Sequence, residues 1–510
     1  MESKPAAQVC VPICEASLSD LASTMDQAVT TADLVELRLD CLEPSELNDF
    51  NPAAFERATK PIILTLRSPD QGGHTNLTSA ERLQFWTRWL KHTKRTYLDI
   101  ESDLLPSITA APELDFTHVI VSQHDFSGVP NNLVEIFVAM MSSPARIGKI
   151  AVTARDVVDC LPVFDLLKRD RAGDKELIAI AMGPAGIMTR ILGPSRGGFL
   201  TYAALTQDSG TAPGQATAHD LRSVYRIDKI DRDTFVCGII GLPVMHSVSP
   251  HMHNAALAAH GLNGVYLPLE VRDVDSFFRR MVKPQAREFD WDLRGLSVTA
   301  PHKSTVLRHL DYVDEKAKKI GAVNTILVKE GKLHGYNTDA DGFLQPLLER
   351  VPSLAGLRVG VLGAGGSARA VLWALTEQRA DTTLFARDVV KGQALGSPYK
   401  IPVKDLGSAS FENFDLVINT TPLGSSGNLV AQTPATIEQL TGAKLAYDLV
   451  YNPSETKFIA NAQSAGCDVL SGLDMLVAQA KLQFEIWTGL TPETSTMLVA
   501  AQRALHSQKI

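Results

Sequence analysis

The sequence predicts an α/β protein built as a (β/α)8 barrel followed by a second α/β unit that carries a dinucleotide-binding fold. Three observations predict it. Eight short runs rich in Val, Ile and Leu alternate with helical patterns over the first part of the chain. The alternation restarts after a polar stretch at 208–233. A later apolar run, 357–362, passes directly into Gly363-Ala-Gly-Gly366. At roughly 150 residues per domain, the 510 residues suggest about three folding units.

The eight candidate strands are residues 8–14, 33–39, 61–67, 96–101, 118–123, 149–153, 176–182 and 198–203, with helical patterns such as 79–93 and 133–142 between them. Short runs that are apolar on both faces suit parallel strands covered by helices. Eight such units in roughly 200 residues is the count of a closed barrel, with an open doubly wound sheet as the alternative. The stretch 208–233 holds Thr211-Ala-Pro-Gly214 and a charged run at 226–232, and the first domain boundary is expected in its later part. Residues 235–241 begin a new strand series, a second break follows Asp341, and 473–506 is a long helical pattern. The expected division is a barrel over 1–230, a smaller α/β domain over 235–341, a dinucleotide domain over 342–472, and a helical segment, 473–510, packing back on the smaller domain.

Composition sets the outer limits. With 45% hydrophobic residues the chain is neither disordered nor of low complexity. A net charge of −8 argues against general binding to nucleic acid or membrane surfaces, and leaves room for local basic pockets that take small anions. Six scattered cysteines without CxxC or Cys/His spacing predict no disulfide framework, no metal site and a reducing compartment. No apolar run approaches the roughly 18 residues of a membrane span, and residues 1–9 are polar, so a soluble cytoplasmic protein is expected, or a plastid one if the source is a plant. Oligomeric state stays open.

In a (β/α)8 barrel the chemistry sits at the C-terminal ends of the strands. Charged residues recur there: Glu36, Arg38 and Asp40 at the second strand, Arg67 at the third, Asp99 and Glu101 at the fourth, His124 and Asp125 after the fifth, and Arg190 beyond the seventh. One such charge commonly just solvates a loop; recurrence on successive strand ends points to a site. Lys149 heads an apolar run. It reads either as a rim lysine with its ammonium in water, or as an amine held neutral by apolar walls and nearby cations, as attack on a ketone requires.

Val35-Glu-Leu-Arg-Leu-Asp40, Thr65-Leu-Arg-Ser68, Ser122-Gln-His-Asp-Phe126, Gly148-Lys-Ile-Ala151 and Ala212-Pro-Gly-Gln215 together resemble type I 3-dehydroquinate dehydratase over roughly residues 8–225. The resemblance implies a syn elimination of water through an imine. Lys149 would form the Schiff base and His124 would remove the proton alpha to it. Arg190 would hold the substrate carboxylate, for which a guanidinium fork is well shaped. Glu36, Arg38, Arg67, Thr211 and Gln215 would bind ring hydroxyls or order the lid. Two residues depart from the pattern: Gln71 stands where relatives usually carry glutamate, and Thr211 where bacterial relatives often carry serine.

The second set begins with Gly363, Ala364, Gly365, Gly366, Ser367 and Ala368, small residues that follow a strand and open a helix, where pyrophosphate can approach the backbone. The next strand ends in Arg387, which suits the 2′-phosphate of NADP, while Asp388 pulls toward NAD. NADP is the expected cofactor. Gly241-Leu-Pro-Val-Met-His-Ser247-Val-Ser249-Pro, Ser297-Val-Thr-Ala-Pro-His-Lys303, Gly321-Ala-Val-Asn324-Thr, Asn337-Thr-Asp339, Asn419-Thr-Thr, Tyr451-Asn-Pro and Leu476-Val-Ala-Gln479 resemble shikimate dehydrogenase over roughly 236–507. The implied fold is a two-domain shikimate-dehydrogenase-like unit, an α/β substrate domain plus a Rossmann NADP-binding domain. By the same resemblance Ser247 and Ser249 would bind a carboxylate, and Lys303 and Asp339 would bracket the reacting oxygen. Thr299, Asn324, Tyr451 and Gln479 would complete the pocket, and Arg387, Asn419, Thr420 and Gly472 would join the glycine loop around NADP.

The two resemblances in one chain imply a fused enzyme for consecutive steps: 3-dehydroquinate to 3-dehydroshikimate, then to shikimate. Its partners would be these small molecules, without nucleic acid or membrane. Two alternatives remain: a dehydrogenase acting mainly on quinate, and a catalytically dead sensor or repressor built from the same domains.

Overall fold

A computed structural model describes residues 7–507 except 56–57, 90–95, 110–114, 170, 172 and 213. The end of the expected helix 79–93 and Pro213 of the Ala212–Gln215 motif lie outside the described residues. By contacts the chain divides into two compact units, one of 1–234 with Leu267–Asp292 and one of Phe235–Tyr266 with Leu293–Ile510.

The first unit is a nearly closed parallel barrel. Its strands are β1 (Val9–Ile13), β2 (Leu34–Arg38), β3 (Ile62–Thr65), β4 (Thr96–Glu101), β5 (Val119–Asp125), β6 (Ile147–Thr153), β7 (Glu176–Met182) and β8 (Thr201–Tyr202). The ladder runs β7-β6-β5-β4-β3-β2-β1-β8. Across the remaining gap, Phe199 N donates to Leu177 O at 2.8 Å. Alternate residues of a strand face the same side, so each strand lines the interior at every second position. The lower layer is apolar, with Leu34, Ile63, Ile120, Ile147 and Ile178 packed in one cluster with Cys10. Two residues further along sit Glu36, Thr65, Ser122 and Lys149, and Asp99 joins them from β4; all are buried. The barrel is therefore filled with carbon below and with hydrogen-bonding groups above.

Two expectations need correcting here. Lys149 does not head its strand; β6 starts at Ile147, which carries Lys149 into the interior. The cysteines include one disulfide, Cys14–Cys41, with Cα atoms 5.3 Å apart. β1 and β2 are neighbours in register (Ile13 opposite Leu37), so the residues just past their ends converge although they lie 27 apart in sequence.

Residues Leu267–Asp292 group with the barrel unit by contacts, whereas the expected division kept them with the smaller domain. Asp156 Oδ2 accepts from the backbone of Arg272 at 2.6 Å and Asp273 at 3.0 Å, and the rings of Phe164 and Phe289 pack with centroids 4.4 Å apart.

Beyond the barrel lie two six-stranded sheets. The first comprises β9 (Phe235–Gly241), β10 (Gly264–Glu270), β11 (Leu293–Val298), β12 (Tyr312–Val313), β13 (Thr325–Lys329) and β14 (Lys332–Tyr336), in the order β10-β9-β11-β13-β14-β12. The second comprises β15 (Arg358–Leu362), β16 (Asp381–Ala386), β17 (Val403–Asp405), β18 (Leu416–Asn419), β19 (Leu445–Asp448) and β20 (Asp468–Leu470). Its parallel order, β17-β16-β15-β18-β19-β20, is the 3-2-1-4-5-6 arrangement of a Rossmann sheet, whose switch point lies beside its first strand. The pattern at 473–506 resolves into two helices, Gly472–Thr488 and Thr494–Ser507, broken where Gly489 adopts a left-handed conformation at φ 71°. Phe484, Trp487, Met497 and Leu505 from these helices share a core with Phe235 and Ile239 of β9.

Candidate active sites

The upper barrel layer forms one cavity, lined by Glu36, Arg38, Arg67, Gln71, His124, Lys149, Arg190, Tyr202, Thr211 and Gln215 among others. Every catalytic and substrate-binding candidate that the sequence assigns to the barrel lines it. Lys149 Nζ donates to Asp99 Oδ2 at 2.8 Å, Tyr202 Oη at 2.8 Å and Glu36 Oε1 at 3.1 Å. The cavity also has apolar walls, Phe126, Ala151, Ile180 and Met182, but the lysine nitrogen itself meets polar groups. The lysine nitrogen lies between two carboxylates and a phenol. Arg67 forms ion pairs with Asp99 at 2.9 Å and with Glu101 at 3.5 Å, while Arg38 pairs with Asp40 at 2.7 Å. Burial alone would raise the Asp99 carboxyl, but Arg67 and Lys149 bring it below its ordinary range.

His124 is held from one side by a single amide oxygen. Gln71 Oε1 accepts from the His124 backbone N at 2.8 Å and lies 3.3 Å from Nδ1. Burial, then the Arg67 and Lys149 cations, keep the imidazole well below its ordinary pKa, against a weaker pull from Asp99. A neutral ring is a base. With Nδ1 donating to Gln71, Nε2 carries the free lone pair.

Arg190 differs from the other guanidiniums. It is 1% exposed, and Nη1 donates to Tyr202 O at 3.2 Å. Its Nε finds no hydrogen-bond partner and the group has no acidic partner among the described residues. Burial lowers its pKa to about 10. A buried cation without a counter-charge is costly unless an anion completes it.

Tyr202 was not singled out in the sequence, and Thr65 and Ser122, which open two of the motifs, were given no role there. Thr65 Oγ1 donates to Glu36 at 2.7 Å, and Ser122 is bonded to both Arg67 and Asp99. Their inward spacing of two along β3 and β5 was the available signal; Tyr202, on a two-residue strand, offered none.

In the second unit a cleft of about 380 Å3, within the range of ligand pockets, is lined by Ser247, Ser249, Ser297, Thr299, Lys303, Asn324, Asp339, Ser367, Tyr451, Gly472, Gln479 and Gln483 among others. Lys303 Nζ donates to Asp339 Oδ2 at 2.5 Å. Asn324 Nδ2 donates to Asp339 Oδ1 at 2.8 Å and Thr338 Oγ1 at 2.9 Å, so the carboxylate is held on both oxygens. Beneath them runs a buried chain missed by sequence reasoning: Tyr266 Oη donates to Ser297 Oγ, which donates to Gln483 Oε1, both at 2.7 Å. Gln483 Nε2 in turn donates to Thr325 Oγ1 at 3.0 Å and Asn324 O at 3.1 Å. Gln483 stands four residues after Gln479 on one helix face, which is a legible spacing.

The glycine loop fits a dinucleotide. Gly363 takes φ 104°, a conformation that favours glycine, and Thr420 Oγ1 braces it through Leu362 O at 2.7 Å. A Cβ on Gly365 or Gly366 would meet no protein atom within 4 Å, so the backbone N–H groups at the start of the helix Gly366–Glu377 are open to a phosphate. Asn419 is wholly buried and bonds Asp448 at 2.8 Å and Thr421 at 2.7 Å, so it braces the loop from below. Asp388 caps the helix Val389–Gly396 by accepting from Lys391 N at 3.0 Å through Oδ1, beside the exposed Arg387.

A lysine-centred barrel joined to a Rossmann unit with an open phosphate loop defines a two-site α/β enzyme of the lyase–oxidoreductase kind. A family model described as type I 3-dehydroquinase matches residues 9–232, one for the shikimate dehydrogenase substrate binding domain matches 239–326, and one for the shikimate 5'-dehydrogenase C-terminal domain matches 472–502. The chain is 34% identical over 513 residues to the chloroplastic bifunctional 3-dehydroquinate dehydratase/shikimate dehydrogenase of Arabidopsis thaliana, covering 94% of this chain and 82% of that protein. It is 40% identical over 276 residues to the shikimate dehydrogenase (NADP(+)) of Carboxydothermus hydrogenoformans, covering 53% of this chain and 97% of that one. Among solved structures, shikimate 5-dehydrogenase from Thermus thermophilus in complex with NADP(H) and shikimate matches at 36% identity and TM-score 0.48, covering 53% of this chain and 100% of that chain. The chain belongs to the bifunctional 3-dehydroquinate dehydratase/shikimate dehydrogenase family.

Proposed function

We propose that the barrel dehydrates 3-dehydroquinate to 3-dehydroshikimate through an imine on Lys149, and that the second unit reduces 3-dehydroshikimate to shikimate with NADPH. One observation carries the first reading: a single cavity joins a lysine amine, a neutral imidazole and a buried guanidinium with no counter-charge among the described residues. Arg190 takes the substrate carboxylate. Lys149 attacks the ketone carbon and water departs, leaving an iminium that serves as an electron sink. His124 Nε2 removes the alpha proton, which yields the enamine. The neighbouring hydroxyl then leaves as water with the proton from His124, and hydrolysis frees Lys149. Glu36, Arg38, Arg67, Thr211 and Gln215 bind the ring hydroxyls or close the loop above them.

In the second site Ser247 and Ser249 bind the carboxylate, and Thr299, Asn324, Tyr451 and Gln479 position the ring. Lys303 donates the proton to the developing alkoxide, and Asp339 holds Lys303 in line. NADP, when bound, supplies the hydride or takes it back. Gly363, Ala364, Gly365, Gly366, Ser367, Ala368 and Gly472 shape the backbone around the pyrophosphate, with Thr420 and Asn419 holding the loop and Arg387 taking the 2′-phosphate. On this reading residues 1–230 form the dehydratase, 235–341 the substrate domain, 342–472 the NADP domain, and 473–510 the helical segment that closes the substrate domain. The partners are these small molecules alone, and the compartment is the cytoplasm, or the plastid in a plant. Among the described residues no helix is long and apolar enough to cross a membrane.

The test is borohydride reduction in the presence of dehydroquinate followed by peptide mass analysis. A stable adduct on Lys149 is expected; no adduct, or one on another lysine, overturns the first assignment. Oxidation of NADPH by dehydroshikimate should outpace that of NADH, and equal rates would overturn the role given to Arg387.

A further inference from the structure

We propose that Cys14–Cys41 is an exchangeable thiol–disulfide site that sets how tightly the barrel holds its substrate, an inference that rests on the dehydratase reading of the barrel. The two cysteines differ in kind from the other four. Cys10, Cys160, Cys237 and Cys467 are free thiols buried in the cores, and burial raises the thiol pKa at Cys10, Cys160 and Cys467. Buried thiols of that sort are poor nucleophiles. Neither Cys14 nor Cys41 is buried, and the His74 imidazole stands beside them, the three ligand-type atoms lying within 4.8 Å of one another. A histidine next to a cysteine can hold it as the thiolate of an imidazolium–thiolate pair, and the thiolate is the form that both attacks and leaves in exchange.

The location gives the bond a consequence. Cys41 ends the turn Leu39–Cys41, directly after β2. The turn holds Asp40, whose carboxylate accepts from Arg38 Nε at 2.9 Å, His74 N at 3.1 Å and Arg67 N at 3.3 Å. Arg38 and Arg67 both line the barrel cavity. A covalent tie one residue from Asp40 therefore holds the junction on which the Arg38 guanidinium and the Arg67 backbone depend. Across the same junction, Glu43 N donates to Ala16 O at 2.9 Å and Leu18 N donates to Glu46 Oε2 at 2.9 Å, bonds that would remain once the disulfide is cut.

Exchange balances simply. A thiolate of an added dithiol attacks one sulfur, forming a mixed disulfide and releasing the other cysteine as thiolate. The second thiol of the reagent displaces the first cysteine, leaving two cysteine thiols and the cyclic oxidised reagent. Two electrons and two protons pass to the protein. Without the disulfide the turn is held less firmly, so part of the ordering of the Arg38 guanidinium and of the Arg67 backbone falls on substrate binding.

The experiment treats the full-length protein with dithiothreitol under native conditions, alkylates it, maps the modified peptides and measures both activities. Cys14 and Cys41 should be alkylated only after reduction, while the four buried cysteines stay protected. The dehydratase KM should rise on the order of fivefold with kcat little changed, and oxidised dithiothreitol should restore it. Cys14→Ser and Cys41→Ser should each show the higher KM whether or not reductant is present. Dehydrogenase kinetics should be the same in both states. Alkylation of both residues without reductant, an unchanged KM, or a parallel loss of dehydrogenase activity would overturn the proposal. So would stoichiometric zinc uptake by the reduced protein that vanishes in His74→Ala, because that would make the trio a metal site. If dehydratase activity is missing in both states while alkylation follows the redox state, it is the reading of the barrel that fails, and the exchangeable site stands.

Discussion

At the level of single residues, Arg190 and Gln71 carry the most decisive chemistry. A buried guanidinium without an acidic partner lowers the stability of the folded barrel in exchange for an anion-binding site. Arg190→Met should therefore raise the dehydratase KM by about tenfold to a hundredfold, the loss of a charged hydrogen bond. The same change should hold or raise the thermal midpoint, and calorimetry beside kinetics checks both signs. Gln71 touches His124 through an uncharged oxygen 3.3 Å from Nδ1. Burial of the ring and the cations facing it, Arg67, Lys149 and Arg38, all favour the neutral base, with Asp99 opposed. Because His124 works unprotonated and its pKa lies below the ordinary value, activity should persist below about pH 6.5. Gln71→Glu places a carboxylate at Nδ1, favours imidazolium, and should move the acid limb of the kcat/KM profile upward by about one pH unit. An unmoved limb would mean that another group sets it.

At the level of elements, glycines that look alike in the sequence have opposite meanings. A Cβ on Gly342 would lie 2.6 Å from Cβ of Gln479, so the helix Asp339–Arg350 reaches the helix Gly472–Thr488 only because Gly342 has no side chain. Gly342→Ala should cost about 1–3 kcal/mol by overpacking, visible in denaturant unfolding, and should displace Gln479 from the cleft. Gly366 faces open space, so Gly366→Ala should keep the fold intact and raise the KM for NADPH, read by cofactor titration. Sequence alone separates neither case, because the distinguishing atom belongs to a helix far along the chain or to a ligand. The strands tell the complementary story. Leu34/Glu36/Arg38, Ile63/Thr65 and Ile120/Ser122/His124 repeat at intervals of two, so the polar upper layer of the barrel was legible in the chain itself. What was not legible is which of these groups meet. Lys149 reaches Glu36, Asp99 and Tyr202 only through the register of strands 50 or more residues apart. Cys14 and Cys41 meet for the same reason, and the role of Asp388 as a helix cap depends on backbone dihedrals beyond Arg387.

At the level of the whole molecule, each cavity draws its named residues from one compact unit: the barrel site lies within residues 36–215 and the cleft within 239–483, outside Leu267–Asp292. Each unit also carries its own core, Cys10 with Ile63 and Ile178 in the barrel and Phe235 with Phe484 and Met497 in the second. Sites that share no residue and no partner are expected to behave additively, so one active site should be removable without the other. Lys149→Met should abolish the dehydratase and leave dehydrogenase kcat/KM within about twofold of the parent. Lys303→Ala should do the reverse. If the product of the first site reaches the second through solution, an equimolar mixture of the two variants will convert dehydroquinate to shikimate after a lag while dehydroshikimate accumulates. Adding parent enzyme at matched activity should shorten that lag only in proportion to the sites added. A mixture that makes dehydroshikimate but no shikimate, with both variants folded and each retaining its own activity, would mean that the two sites must lie on one chain, and that the fusion itself takes part in the transfer.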